Sequence, residues 1–350
     1  MQRILAVLLF ALLVGQSACL IKPEDEIPDP WKLAFEDATI TPIRNMHASP
    51  TEFYVITDDE FIRLDNNNNI IERRKLTLPF RFFGRPQLSD NVFTRVTRQG
   101  QSDQIIEFHL AKIPGQVYNY SFEQLEAETG DQLFPETSGR YTAAFNDVGT
   151  QMLLPASNSS KDIYTLLLFD IELNSNNSEI LNVSLRANID VTDLQNDPNS
   201  ISNTRFVDGH YYVTSLNGAF RVGPDGSVTK IFQQWMLDFF SYEDSLFVTS
   251  SAAQLFTSSD SGLSWREWDE ENRTELQFVE VANNNVFSQP FTGFPFQMAD
   301  EDLLSTRKVR LNQDFVDDVS AYNNIRFFFD KYYLANQKEL YFTDDIKLEE

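Results

Sequence analysis

Short apolar runs of strand length recur along the chain, each bounded by polar turns. Phe, Tyr, Val, Ile and Leu concentrate in runs of about five residues, the composition and length of β-strands. No stretch sustains an apolar period of 3.6, so no long helix is expected. One unit repeats. Phe206 begins FVDGHYYVTSLNGAFRVGPDG, Phe240 begins FSYEDSLFVTSSAAQLFTSSDSG and Phe328 begins FFDKYYLANQKELYFTDD. A fourth copy, FYVITDDEFIRLD, runs from Phe53 to Asp65. Each unit carries an aromatic run, a charged turn, a second strand, a polar turn and a third strand. An Asp-containing turn follows: Asp225 and Asp260 each come thirteen residues after a strand aromatic, Tyr212 and Phe247, and Asp344 and Asp345 end the last copy. A repeat of about 40–50 residues built from short strands is the signature of a β-propeller.

The spacing predicts an all-β chain, with one propeller of seven four-stranded blades over residues 31–350; six or eight are the alternatives. The blades fall at 39–76, 80–122, 139–186, 202–232, 237–268, 277–311 and 319–347. The last is one strand short, and residues 31–36 can supply that strand from the N-terminus, closing the ring and removing a free sheet edge. The segments 123–138, 188–200 and 268–275 read as loops linking one blade's outer strand to the next blade's inner strand.

Residues 258–265 read SSDSGLSW. Asp260 is suited to fold onto nearby backbone N–H groups and Gly262 to take a positive φ, while Trp265 opens the next strand. Ser258, Asp260, Gly262 and Trp265 match S-x-D-x-G-x-x-W, and the stretch resembles the Asp-box of sialidase-type (BNR) propellers. The resemblance implies a structural turn, and ligand binding on the face that carries the inter-blade connections. It does not bring the family's chemistry with it. The Arg-Ile-Pro motif expected near the N-terminus is replaced by Thr41-Pro42-Ile43-Arg44, in the wrong order.

The N-terminus reads as an address. Arg3, an apolar run from Ile4 to Val14 and small residues at Gly15, Ser17 and Ala18 make the three parts of a signal peptide over residues 1–18. The run is too short to span a bilayer. Cys19, the chain's single cysteine, follows at once. Ser17-Ala18-Cys19 resembles the end of a bacterial lipobox, with Gln16 where an aliphatic residue is usual, and implies lipidation of Cys19. Residues 19–30 then hold three prolines and four acids between Lys22 and Pro30, a stiff charged tether that cannot bury a core.

Composition narrows the partners. A formal charge of −24 argues against nucleic acid, whose recognition needs Lys and Arg on phosphates. With one cysteine no disulfide framework forms within the chain, and stability rests on a large apolar core. His47, His109 and His210 are isolated, so no zinc site is expected. No Gly-rich phosphate loop or G-x-S-x-G occurs. Asp65 and Asn66–Asn69 offer oxygens that suit Ca²⁺, but they read first as a polar hairpin turn. No cofactor is expected beyond that Ca²⁺ alternative. Asp58-Asp59-Glu60, Asp269-Glu270-Glu271 and Asp300-Glu301-Asp302 read as solvated surface.

The expected binding face is the one with the inter-blade connections. Asp269, Glu270, Glu271 and Glu275 lie in one connection. Glu123, Glu126, Glu128 and Asp131, then Asp190, Asp193 and Asp197, then Asp314, Asp317 and Asp318, lie in three others. Phe291, Phe294 and Phe296 surround a Gly-Pro turn and form either a stacking platform or inter-blade core. The functional expectation is a monomeric lipoprotein of the bacterial cell envelope, held to the membrane by its lipid. Its propeller binds a protein or a glycan without catalysis; the alternative is a glycan-acting hydrolase. A convergent cluster of Arg and acids at the central channel favours the hydrolase.

Overall fold

The structure is a computed structural model that describes residues 31–34, 42–76, 86–99, 103–135, 143–160, 163–192, 201–290, 296–312, 325–335 and 339–349. Seven antiparallel sheets follow one another along the chain as the blades of a β-propeller. In each blade the chain passes from the inner strand outward. The inner strands are β2 (Ile43–Ala48), β6 (Gln87–Leu88), β10 with β11 (Leu133–Pro135 and Ala144–Phe145), β15 (Ile201–Val207), β19 (Met236–Tyr242), β23 (Phe278–Ala282) and β27 (Ile325–Phe328). The outer strands of blades one to six are β5 (Ile70–Lys75), β9 (Val117–Ser121), β14 (Ile180–Asp190), β18 (Val228–Phe232), β22 (Arg266–Glu267) and β26 (Thr306–Lys308).

The repeated sequence unit explains why blades stack. The second strand of each blade is buried on both faces, so it reads as a nearly continuous apolar run rather than an alternating one. Neighbouring residues point to opposite blades. In blade one, Phe53 and Val55 join Phe328 and Tyr333 of blade seven, while Tyr54 and Ile56 join Phe93 of blade two. In blade four, Tyr211 and Val213 pack toward blade three and Tyr212 toward Phe239 and Val248 of blade five. The core is thus a series of apolar layers between blades.

The ring closes as expected. Blade seven pairs β27, β28 (Lys331–Ala335) and β29 (Leu340–Thr343), and its fourth strand is β1 (Lys32–Leu33), with Lys32 opposite Phe342 and Leu33 opposite Tyr341. Trp31 seats this closure. Its backbone N–H donates to Asn312 Oδ1 at 3.1 Å and its indole N–H to the Arg310 carbonyl at 3.0 Å.

Blade three departs from the expected boundaries. It starts at Leu133 and ends at Asp190, not at 139 and 186. Its inner strand is split: β10 and β11 pair opposite ends of β12 (Gln151–Asn158). The segment before it is not a plain loop either, because α1 (Phe122–Thr129) fills its first half and β10 follows. Ser121 caps this helix by accepting from the Gln124 N–H at 3.0 Å, and Gly130 stops it at φ 81°. One turn-facing apolar residue, Leu125, is fully buried between blades two and three. That burial, rather than helical periodicity, holds the helix in place.

Candidate functional site

Next to the propeller axis, three inner strands repeat one device. The pairing of β2, β15 and β19 to the next strand skips a residue just before Asn45, Asn203 and Asp238. Each bulge turns a polar side chain toward the following blade. Asn45 donates to the Pro86 carbonyl at 2.8 Å, Asn203 donates to Asp238, and Asp238 accepts from the Val279 N–H at 2.9 Å. Asn45 and Asp238 also accept from their own successors, Met46 and Phe239. Buried threonines on the second strands do parallel work: Thr214 donates to the Leu237 carbonyl at 3.0 Å and Thr249 to the Gln277 carbonyl at 2.6 Å.

Arg205, Asp238, Glu280 and Arg326 converge on this ring. Arg205 holds Asp238 through Nε at 3.0 Å and Nη2 at 2.9 Å, and reaches Glu280 at 3.1 Å. Arg326 meets Glu280 at 2.7 Å and the Met46 carbonyl at 3.2 Å. Four blades are thereby joined to a fifth by two cations and two carboxylates. Asp238 is 0% exposed. Burial pushes its carboxyl up, opposed by the Arg205 guanidinium.

A second buried ionic group lies between blades one and two. Glu107 accepts from Arg95 and meets His109 Nε2 at 3.1 Å. The His109 ring stacks on Phe93 at 4.6 Å and Phe93 on Phe61 at 4.3 Å. Burial holds His109 below the usual imidazole range. Burial also acts to raise Glu107, but the hydrogen bond to His109 and the charge of Arg95 outweigh it and keep it low. His109 is a core histidine. His47 meets Asp90 at 2.8 Å, linking the first hairpins of blades one and two.

The predicted turn at 258–265 connects β21 (Leu255–Ser258) to β22. Asp260 Oδ1 accepts from Ser258 Oγ at 2.7 Å and from the Ser264 N–H at 2.9 Å, and Oδ2 accepts from Ser264 Oγ at 2.6 Å. These bonds hold its carboxyl down at about 2. Gly262 sits at φ 79° with its N–H on Ser258 Oγ, and its carbonyl accepts from the Trp265 indole at 3.1 Å. The turn docks on blade four, where Tyr212 and Arg221 both donate to the Ser261 carbonyl. Asp65 and Asp225 occupy the same hairpin in blades one and four, accepting from Asn67, Asn69 and Ser227. Asp300-Glu301-Asp302, expected as plain surface, is the equivalent turn of blade six: Asp302 accepts from the N–H groups of Leu304 and Ser305.

These third-to-fourth-strand hairpins lean on the preceding blade through partners that local sequence patterns do not reveal. Tyr333 donates to Asn68 at 2.5 Å, Gln151 to the Pro224 carbonyl at 3.0 Å and the Trp268 indole to the Asp302 carbonyl at 2.9 Å. In two of these contacts the partner is the second residue of a doubled aromatic at the head of a second strand, Tyr212 in Tyr211-Tyr212 and Tyr333 in Tyr332-Tyr333.

The acidic connections behave unevenly. All four run from an outer to an inner strand, and so leave the ring at the same strand ends. Glu123, Glu126, Asp190, Glu270 and Glu271 are exposed. Glu128 accepts from Tyr120 at 2.7 Å. Asp269 closes its own turn, accepting from the N–H groups of Glu271 and Asn272. Glu275 accepts from the Thr306 N–H at 3.0 Å. Asp193, Asp197, Asp314, Asp317 and Asp318 lie outside the described residues, as do Cys19, Phe291 and Phe294. Phe296 is not on a surface: it is 2% exposed and stacked on Phe287 at 5.5 Å.

One polar groove of about 520 Å³ opens between blades three and four, lined by Asn146, Gln151, Asp170, Glu172, Asn182 and Ser184 among others. Among the described residues, no three His, Cys, Asp or Glu side chains are grouped to hold a metal ion.

No protein-family model and no curated protein matches the sequence. Solved structures do. PorZ, described as a bacterial surface component of the type-IX secretion system of Porphyromonas gingivalis, aligns with a TM-score of 0.50 and 8% identity, over 91% of this chain and 39% of its own. The extracellular domain of BT4673, a putative hybrid two-component system of B. thetaiotaomicron, aligns with a TM-score of 0.50 and 12% identity, over 90% of this chain and 40% of its own. The chain thus spans about two fifths of each. At these identities the likeness is one of fold, and the fold is a β-propeller.

Proposed function

We propose that the protein is a lipid-anchored envelope component whose propeller binds a partner without catalysing a reaction. The partner meets the face that carries the outer-to-inner connections. The observation that supports this most is the contrast between the two sets of charges. The ionisable groups that converge on the axis are consumed in joining blades, whereas Glu123, Glu126, Asp190, Glu270 and Glu271 stand in solvent at the strand ends. Exposed like charges in one region attract a basic protein surface and make its association fall with salt. The −24 charge of the chain adds to that field. The anchor rests on the signal-like segment followed by Cys19.

The hydrolase reading has one observation in its favour, the Arg205–Asp238–Glu280–Arg326 cluster. A glycosidase needs a carboxyl group that reaches substrate and exchanges a proton. Asp238 reaches none, and Glu280 sits between two guanidiniums. The experiment is a pull-down from envelope fractions at low and high salt, with wild type and a Glu270→Lys/Glu271→Lys variant. Capture that weakens with salt and with charge reversal is expected. Equal capture by both removes the acidic face from the proposal. Release of sugar from a glycoside panel by wild type, lost in Glu280→Gln, overturns the non-catalytic reading.

A further inference from the structure

Of the large apolar side chains exposed among the described residues, five fall in three neighbouring hairpins, while Leu33, Val148, Leu263, Trp268, Val281 and Phe329 lie outside them. Ile70, Ile71, Ile113, Val117 and Leu181 are each between 36% and 49% exposed. All five belong to the third-to-fourth-strand hairpins of blades one, two and three, at the heads of β5, β9 and β14 or in the turn before them. The three hairpins are tied together. Arg63 of blade one donates to the Lys112 carbonyl of blade two at 2.9 Å, and Arg74 to the Leu110 carbonyl at 2.8 Å. Gln116 of blade two then grips Ile180 of blade three from both sides, donating to its carbonyl at 3.3 Å and accepting from its N–H at 3.0 Å. The apolar groups therefore form a strip along one continuous rim.

The rim is also where the tether arrives. β1 runs antiparallel to β29, so Trp31 lies at the strand end where the other blades turn from third to fourth strand. Blade seven touches the first hairpin of the strip: Lys331 donates to the Asn66 carbonyl at 3.2 Å and Tyr333 to Asn68. Cys19 and Trp31 are twelve positions apart, so a lipid on Cys19 holds Trp31 within about 40 Å of the bilayer.

We infer that this strip is the membrane-facing rim of the propeller: Ile70, Ile71, Ile113, Val117 and Leu181 dip into the interfacial region of the lipid surface to which the tether holds the protein. The inference rests on the anchored reading proposed above. The strip suits an interfacial role. Isolated apolar side chains on a rigid scaffold enter the headgroup boundary without crossing it. The ionic groups beneath them are neutralised within the protein, since Arg63 and Arg74 share Glu72 and Arg63 also holds Glu52. Weak insertion becomes effective once a tether raises the local concentration of surface. The opposite strand ends, with Glu123, Glu126, Asp190, Glu270 and Glu271, are then turned outward to meet a partner, while the exposed Asp225, Asp260 and Asp302 turns of blades four to six share the membrane side beyond the strip.

The test uses the chain from Cys19 onward, coupled through the Cys19 thiol to a maleimide-headgroup lipid in phosphatidylcholine vesicles. This tether works whether or not the protein is lipidated in the cell, so failure of the anchor reading and failure of the rim are seen separately. Hydrogen exchange is compared with the same chain coupled to a soluble maleimide. Slower exchange, by several fold, is expected in 65–71, 111–117 and 173–182, with none in 122–129 or 267–278. An Ile71→Asp/Ile113→Asp variant should lose the protection while melting like wild type. Uniform exchange in both states, or protection on the side of the acidic connections, overturns the inference. Protection that grows with the density of tethered protein means that a second copy covers the strip, and also overturns it.

Discussion

Replacing Asp238 by Ala should loosen three blades at once. Its carboxylate accepts from Arg205 twice, from Asn203, and from the N–H groups of Phe239 and Val279. It is wholly buried. Removing one side of a buried ion pair strands the other, at a cost of about 3–5 kcal/mol. Arg205 keeps Glu280 and the Val279 carbonyl, which favours the lower end, about 3. An unfolding entropy of about 2.1 cal/mol/K per residue over the roughly 260 described residues is about 0.55 kcal/mol/K, so the melting temperature should fall by roughly 5–9 °C. Asp238→Asn keeps the shape and one acceptor oxygen and should cost about 1.5–3 kcal/mol. Calorimetry on the two variants, with Arg205→Met and the double variant, closes a cycle. The double variant should be milder than the sum of its parts, because it leaves no charge stranded. If Asp238→Ala melts within a degree of wild type, the axial network does not hold the blades together.

Three further outcomes follow from the turns and the closure. Gly262→Ala places a Cβ 2.7 Å from the Tyr212 hydroxyl at a backbone φ of 79°, and should cost about 1–3 kcal/mol; in a Tyr212→Phe background the thermal penalty should shrink but not vanish. Asp260 sits at about 2 when folded and near 3.8 when unfolded, so its contribution is present above pH 4 and is lost as pH falls from 4 toward 2. A pH series of melts on Asp260→Asn should therefore show a shallower loss over that window, and parallel curves would discount the turn's hydrogen bonds. Trp31→Ala removes a side chain 3% exposed and should cost about 3–5 kcal/mol, with faster proteolysis near β29 as the readout.

Much of this architecture is visible in linear sequence because blades repeat a local rule. A strand buried on both faces reads as a nearly continuous apolar run, and Phe53-Tyr54-Val55-Ile56 and Tyr211-Tyr212-Val213 announce that directly. Turn chemistry is equally local, so Asp65, Asp225 and Asp260 could be placed before their partners were known. The helix was missed for want of length. Eight residues with one buried apolar position give no period, although Ser121, Gln124 and Gly130 mark its two ends. The axial cluster was missed for another reason. Asn45, Asn203 and Asp238 are polar residues inside apolar strands, and their meaning depends on a neighbouring blade some forty residues away. Phe296 shows the converse: an aromatic beside Gly and Pro leaves platform and inter-blade core both open, and only the facing Phe287 decides for core.

The way Trp31 is seated has a mechanical consequence. A pull on the N-terminal segment does not reach the two-residue strand β1 first. It is taken up by Trp31, whose peptide groups and indole are clasped by Asn312 and Arg310 at the end of blade six. Tension therefore spreads into two blades before the zipper with β29 is strained. Peeling the ring open from its free end requires extracting a buried indole as well as breaking strand pairs. A protein tugged by a partner on one side and restrained on the other gains from a clasp of that kind, and force spectroscopy on Trp31→Phe would read its strength as the drop in rupture force.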